Sequence, residues 1–123
     1  MTKFTIVGAA ALTLAIFAIT IPACAQETTA GAKLYQQKCA NCHALDANKI
    51  GPMHRGVVGR KAGAAPQYAY SNALKASGLV WSEANINLWL QGPQKLVRGT
   101  KMYLMVPSPT DRASIIAYLK AQT

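Results

Sequence analysis

The sequence predicts an all-α fold of short helices and long loops. Three observations point there. Serine or threonine stands where each helix would start, with apolar residues following at helical spacing. No segment alternates apolar and polar residues for long enough to claim a strand. Nearly half of the chain beyond residue 25 lies in irregular connections, many of them rich in glycine and proline. Loops that long in a small domain need something to organise them. The fold is therefore expected to wrap around a bound group.

Residues 1–25 read as an export signal and 26–123 as one domain. Lys3 gives a short basic start, Phe4 to Ile21 is a nearly unbroken apolar run, and Ala23-Cys24-Ala25 has the small-residue pattern of a cleavage site. The same run is close to the minimum length of a membrane span, so a retained anchor is the alternative. Ile21-Pro22-Ala23-Cys24 also loosely resembles a lipidation box, which the proline fits badly. Cleavage after Ala25 leaves 98 residues starting at Gln26. A chain of that size buries a modest core and gains from a cofactor that fills its centre.

In the domain, Thr28 or Thr29 is expected to cap a first helix carrying Leu34, Tyr35 and Lys38 and ending near Cys42-His43. Residues 44–70 hold Gly51, Pro52, Gly56, Gly59, Gly63 and Pro66 and read as loop. Ser71 caps a short helix that Gly78 ends. Ser82 caps another, with Glu83 in its first turn, Ile86, Trp89 and Leu90 on its apolar side, and Gly92-Pro93 as its stop. Residues 93–107 read as irregular. Ser108 caps the last helix, with Pro109 at its first position, Asp111 placed for a capping box, and Ile115, Ile116 and Leu119 apolar.

Charge narrows the function. Of 13 Lys and Arg, Lys3 leaves with the leader, so twelve face four Asp and Glu, a formal +8. Such a balance suits acidic partners, anionic membranes or nucleic acid. The basic residues are scattered, with no dense run and no recognition-helix motif, which excludes nucleic acid as the favoured partner.

Cys39-Ala40-Asn41-Cys42-His43 carries the chemistry. C-x-x-C-H is a haem-attachment signature. Two thiols three residues apart reach the two vinyl groups on one side of a porphyrin, and the adjacent imidazole then lies under the iron. A redox dithiol with an accidental histidine would need a βαβ context that is missing here. A zinc site would need two more ligands, and only His54 remains.

Along its whole length beyond the leader, the chain resembles the class I c-type cytochromes, mitochondrial cytochrome c and its bacterial relatives. The matching residues are Gly31 and Tyr35, CANCH at 39–43, GP at 51–52, GxxGRKAG at 56–63, YAYS at 68–71, GLVW at 78–81, GTKM at 99–102 and IIAYLK at 115–120. The resemblance implies a helical wrapper around one covalent haem c, with the terminal helices crossing through Gly31, Tyr35, Ile115 and Tyr118. It implies His43 and Met102 as the iron ligands, a pairing that raises the potential and favours electron transfer over oxygen binding. Met105 is the local competitor, and Met53 reads as packing. It further implies Pro52 as the carbonyl that accepts from His43, Tyr70, Trp81 and Thr100 as donors to the haem propionates, and Arg60 as a nearby cation.

Four residues depart from the family pattern. Arg98 replaces a common proline before Gly-Thr-Lys-Met. Trp89 replaces a tyrosine near the methionine; an indole donates but cannot accept. Leu74 stands where an asparagine is frequent, and His54 occupies a usually apolar position.

The function implied is that of a monomeric single-electron carrier exported to the periplasm, or tethered to the membrane if the leader is kept. It would associate transiently with membrane complexes of a respiratory or photosynthetic chain. The donor would be a quinol–cytochrome c reductase, and the acceptor a terminal oxidase or another protein with an acidic docking site. Lys38, Lys95 and Lys101 flank the motifs expected at the haem edge and would steer that docking. The alternative is an enzyme or gas sensor with a labile sixth position.

Overall fold

The first helix and the last pack against each other across the molecule, and the irregular middle of the chain folds around one side of that joint. The computed structural model describes residues 18–123. Most of the expected leader, residues 1–25, lies outside this range. Among the described residues no helix is long and apolar enough to cross a membrane.

Helix α1 runs Ala23–Lys38, α2 Asn72–Ala76, α3 Glu83–Gln91, α4 Pro93–Leu96 and α5 Pro109–Lys120. An isolated antiparallel bridge between Lys61 and Val80 is the one strand-like pairing among the described residues. The all-α expectation holds.

Three serine caps form as local chemistry requires. Ser71 accepts from Leu74 N–H, Ser82 from Asn85 N–H and Ser108 from Asp111 N–H, each satisfying a first-turn donor. The start of α1 corrects the sequence reading. It begins after Pro22, which supplies no side-chain cap. Thr28 and Thr29 are interior and turn their hydroxyls back to carbonyls three or four residues earlier, on Cys24 and Ala25. The helix also reaches back across the expected cleavage position after Ala25. A second correction is α4, a single turn inside the stretch read as irregular. Pro93 ends α3 but also opens α4, where its missing N–H costs nothing.

At the α1–α5 joint, Gly31 lies directly beneath α5, and the Tyr35 and Tyr118 rings meet at 5.1 Å between centroids. Ile115 is fully buried there, with Ile116 and Leu119 close to it. Arg112 ties α5 to its surroundings: Nε donates to Asn87 Oδ1 at 2.8 Å, and one terminal nitrogen donates to the carbonyls of Val106 and Pro107. The segment 97–108 is thereby held against α5 at one end, and Val106 N–H bonds Leu90 O at 2.7 Å.

Candidate functional site

A cavity of about 360 Å³ opens between the α1–α5 joint, the 44–70 loop and the 97–108 segment. Cys39, Cys42, His43, Pro52, Arg60, Tyr70, Trp81, Thr100 and Met102 all line it. The structure therefore brings together every haem and iron residue that the sequence reading selected; of the three lysines expected at the edge, Lys38 and Lys101 line the cavity and Lys95 does not. Its apolar wall is made by Leu74, Ile86, Leu90, Ile115 and Leu119. Of the two other methionines near these motifs, Met105 is mostly exposed, and neither it nor Met53 lines the cavity.

The attachment motif begins where α1 ends. Cys39 is the C-cap residue, and the turn that follows is closed by Cys42 N–H and His43 N–H, both donating to Cys39 O. Cys39 is buried and Cys42 exposed, and neither forms a disulfide. Burial pushes the Cys39 thiol up to about 11. A redox dithiol needs the opposite shift, toward a thiolate near neutral pH. Among the described residues no group of three or more His, Cys, Asp or Glu side chains is arranged to hold a metal ion.

His43 is oriented by its neighbours. Its Nδ1 lies 2.8 Å from Pro52 O. A carbonyl only accepts, so Nδ1 carries the proton and Nε2 keeps a free lone pair. Gly51 makes room for the ring: a Cβ there would sit 2.2 Å from His43 Cε1. Burial holds the ring below the usual imidazole range, partly offset by the bond to Pro52. A neutral imidazole with one free nitrogen, two unpaired thiols on the preceding turn and an apolar cavity beside them fit a covalent haem.

On the methionine side, Trp89 Nε1 donates to Met102 Sδ at 3.1 Å. The indole thus supplies the donor that a tyrosine would. Trp89 is held edge-on against Trp81, centroids 5.0 Å apart. Around the rim, Tyr70 OH accepts from Ala65 N–H at 3.2 Å, and Thr100 is buried. Arg60 donates to the carbonyls of Arg55 and Met53, while its Nε is enclosed without a partner. Exposed Lys101 reaches Ala69 O and lies over the Tyr68 ring.

Two features were not legible in the sequence. Gln94 bonds three backbone groups of the loop that carries Met102. His54 stacks on His43, centroids 3.9 Å apart and planes 19° from parallel, with its Nδ1 enclosed and unbonded. Burial, with His43 and Arg60 nearby, pushes His54 down to about 3, so the ring is neutral at pH 7. An enclosed unpaired nitrogen costs about 1–3 kcal/mol. His54→Leu is expected to stabilise the protein by about 1 kcal/mol at neutral pH.

The same substitution is expected to flatten the acid limb. The unfolded histidine takes up a proton near 6.5 and the folded one only near 3. The unfolded state therefore binds more protons between these values. Stability therefore falls as pH drops through that window. Urea midpoints of both proteins at neutral and acid pH check this; identical pH dependence would refute it.

Comparison with known proteins places this geometry. A family model described as Cytochrome c matches residues 28–123. Cytochrome c of Theileria parva is 44% identical over 98 residues, covering 76% of this chain and 84% of the relative. Cytochrome c2 of Rhodomicrobium vannielii is 41% identical over 96 residues, covering 75% of this chain and 76% of the relative. The solved structure of cytochrome cH from Methylobacterium extorquens superimposes with a TM-score of 0.73 at 46% identity, covering 76% of this chain and 97% of that one.

Proposed function

The chain belongs to the cytochrome c family, and from that membership we propose that it is an exported single-electron shuttle with His43 and Met102 as the axial ligands of its iron. Membership itself gives the chain one covalently attached haem c and the role of electron carrier. When bound, the haem supplies an iron that changes oxidation state by one electron, and His/Met ligation sets a high potential for it.

One observation carries the ligand assignment: Met102 shares its cavity with Cys39, Cys42 and His43, and its sulfur has a dedicated donor in Trp89. A thioether sulfur has two lone pairs. The indole N–H engages one and leaves the other free for a metal. Pro52 performs the equivalent task on the other ligand, fixing the His43 tautomer so that Nε2 would be the nitrogen available to a metal. Tyr70, Trp81, Thr100 and Arg60 would take the propionates; the unpartnered Nε–H of Arg60 is a donor available to such a group.

Docking would occur where the cavity meets solvent. Ile50, Tyr103 and Leu104 are exposed there and line the cavity, with Lys38 and Lys101 beside them. An apolar contact flanked by two lysines suits a partner with an acidic rim, a quinol–cytochrome c reductase as donor and a terminal oxidase or other protein as acceptor. Export to the periplasm rests on the leader pattern of residues 1–25.

The weak far-red methionine–iron band of the ferric holoprotein tests the ligand set. It is expected at pH 7, retained in Met105→Ala and abolished in Met102→Ala. Persistence of the band in Met102→Ala would overturn the assignment. A wild-type spectrum that is high-spin and lacks the band would favour an open sixth position, and with it an enzyme or gas sensor.

A further inference from the structure

Gln94 is the second residue of the single-turn helix α4, on the far side of Gly92-Pro93 from Trp89. Its carboxamide is fully engaged on one short stretch of backbone. Oε1 accepts from Gly99 N–H at 3.1 Å. Nε2 donates to Thr100 O at 2.7 Å and to Met102 O at 3.1 Å. Both N–H donors and an acceptor lone pair of one side chain are thus spent on residues 99–102.

That stretch has little else to hold it. The backbone–backbone bond from Thr100 N–H to Val97 O, at 3.3 Å, is the one that any residue from Gly99 to Met105 makes. The chain enters it through exposed Arg98, which places no restriction on its own φ, and through Gly99 at a φ of 89°. Apart from the Thr100–Val97 bond and the one from Lys101 Nζ to Ala69 O, the loop has neither hydrogen bonds of its own nor covalent stiffness.

We infer that Gln94 is the positioning residue that keeps Met102 on the metal. With Trp89 it makes a two-point grip from the α3–α4 corner: Trp89 bonds the Met102 sulfur, and Gln94 bonds its carbonyl. With the backbone held, the sulfur can leave only by rotation of its own side chain against the Trp89 bond, and any movement of the loop itself breaks three bonds to one carboxamide. The grip closes the sixth coordination position to small external ligands. This rests on the His43/Met102 ligation proposed above.

The test uses ferric holoprotein and the rate of imidazole binding, which requires Met102 to depart. Gln94→Glu keeps the shape and the acceptor but loses both donors and sets a carboxylate against two carbonyl oxygens. Gln94→Ala removes all three bonds. Each is expected to speed imidazole binding about tenfold or more, the scale of one to two net hydrogen bonds. The far-red band should also bleach at a lower temperature than in wild type. Arg98→Ala serves as a loop control and should bind imidazole at the wild-type rate.

Unchanged imidazole rates in both Gln94 variants, with the band present in wild type, would overturn the grip. So would a rate increase matched by an equal rise in the global unfolding constant, because that would be loss of the fold rather than of the loop. A wild type without the band would instead overturn the ligand assignment.

Discussion

Gly31→Ala is expected to destabilise the protein by about 3 kcal/mol, lowering Tm by about 10 °C or more. Glycine inside a helix is normally a liability, and alanine there gains about 1 kcal/mol in propensity. At Gly31 the sign reverses. An added Cβ would lie 2.0 Å from Ser114 O and 2.7 Å from Tyr118 Cβ. Neither atom can rotate aside, because one is backbone and the other is fixed to it. The helices must part, and the contacts of Tyr35 and Ile115 across the joint loosen with them. Thermal unfolding followed by circular dichroism measures the effect. A variant as stable as wild type, or more so, would show that α1 and α5 do not approach this closely.

Gly51→Ala should have a comparable effect of another kind, a disturbed metal environment with attachment intact. A Cβ would lie 2.2 Å from His43 Cε1 and 2.6 Å from both ring nitrogens. Gly51 cannot yield easily, since its N–H bonds Cys42 O at 2.7 Å and its carbonyl accepts from Lys49 N–H at 2.9 Å. The imidazole must rotate instead, which breaks the 2.8 Å contact to Pro52 O. The thioethers on Cys39 and Cys42 do not depend on that ring. Haem should stay on the polypeptide in denaturing gels while the native absorption spectrum turns partly or wholly high-spin, with stability lower by about 1–3 kcal/mol. A spectrum identical to wild type would refute the crowding argument.

What could be read from the sequence was whatever depends on neighbours in the chain. Ser71, Ser82 and Ser108 cap their helices because a hydroxyl reaches an N–H three residues on. The C-x-x-C-H run was legible because its spacing is itself the geometry. Thr28 was misread because its hydroxyl can also bond back into an existing helix turn, and nothing local decides between the two. Pro93 was read as a stop, although the residue that ends one helix can begin the next.

Gln94 carried no local signal, and His54 only that it stands at a usually apolar position. A glutamine between Pro93 and Lys95 looks like surface, and its role exists only once residues 99–102 fold back over it. The stack of His54 on His43 likewise appears only after the 44–70 loop has closed. Trp89 lies between these cases: its donor was legible, but its acceptor was set by tertiary structure.

The joint between α1 and α5 also governs how the chain reaches this state. Its partners come from opposite ends of the described sequence, so forming it is a closure event whose entropic cost falls before any contact repays it. The span between them offers little to fold early: two helices of five and four residues, one of nine, and loops. Isolated helices that short are marginal in water. Local order in the middle is therefore expected to follow the meeting of the ends. The segments that in most domains fray first are here expected to act as the nucleus, with high φ-values at Gly31 and Ile115 as the result that would check it.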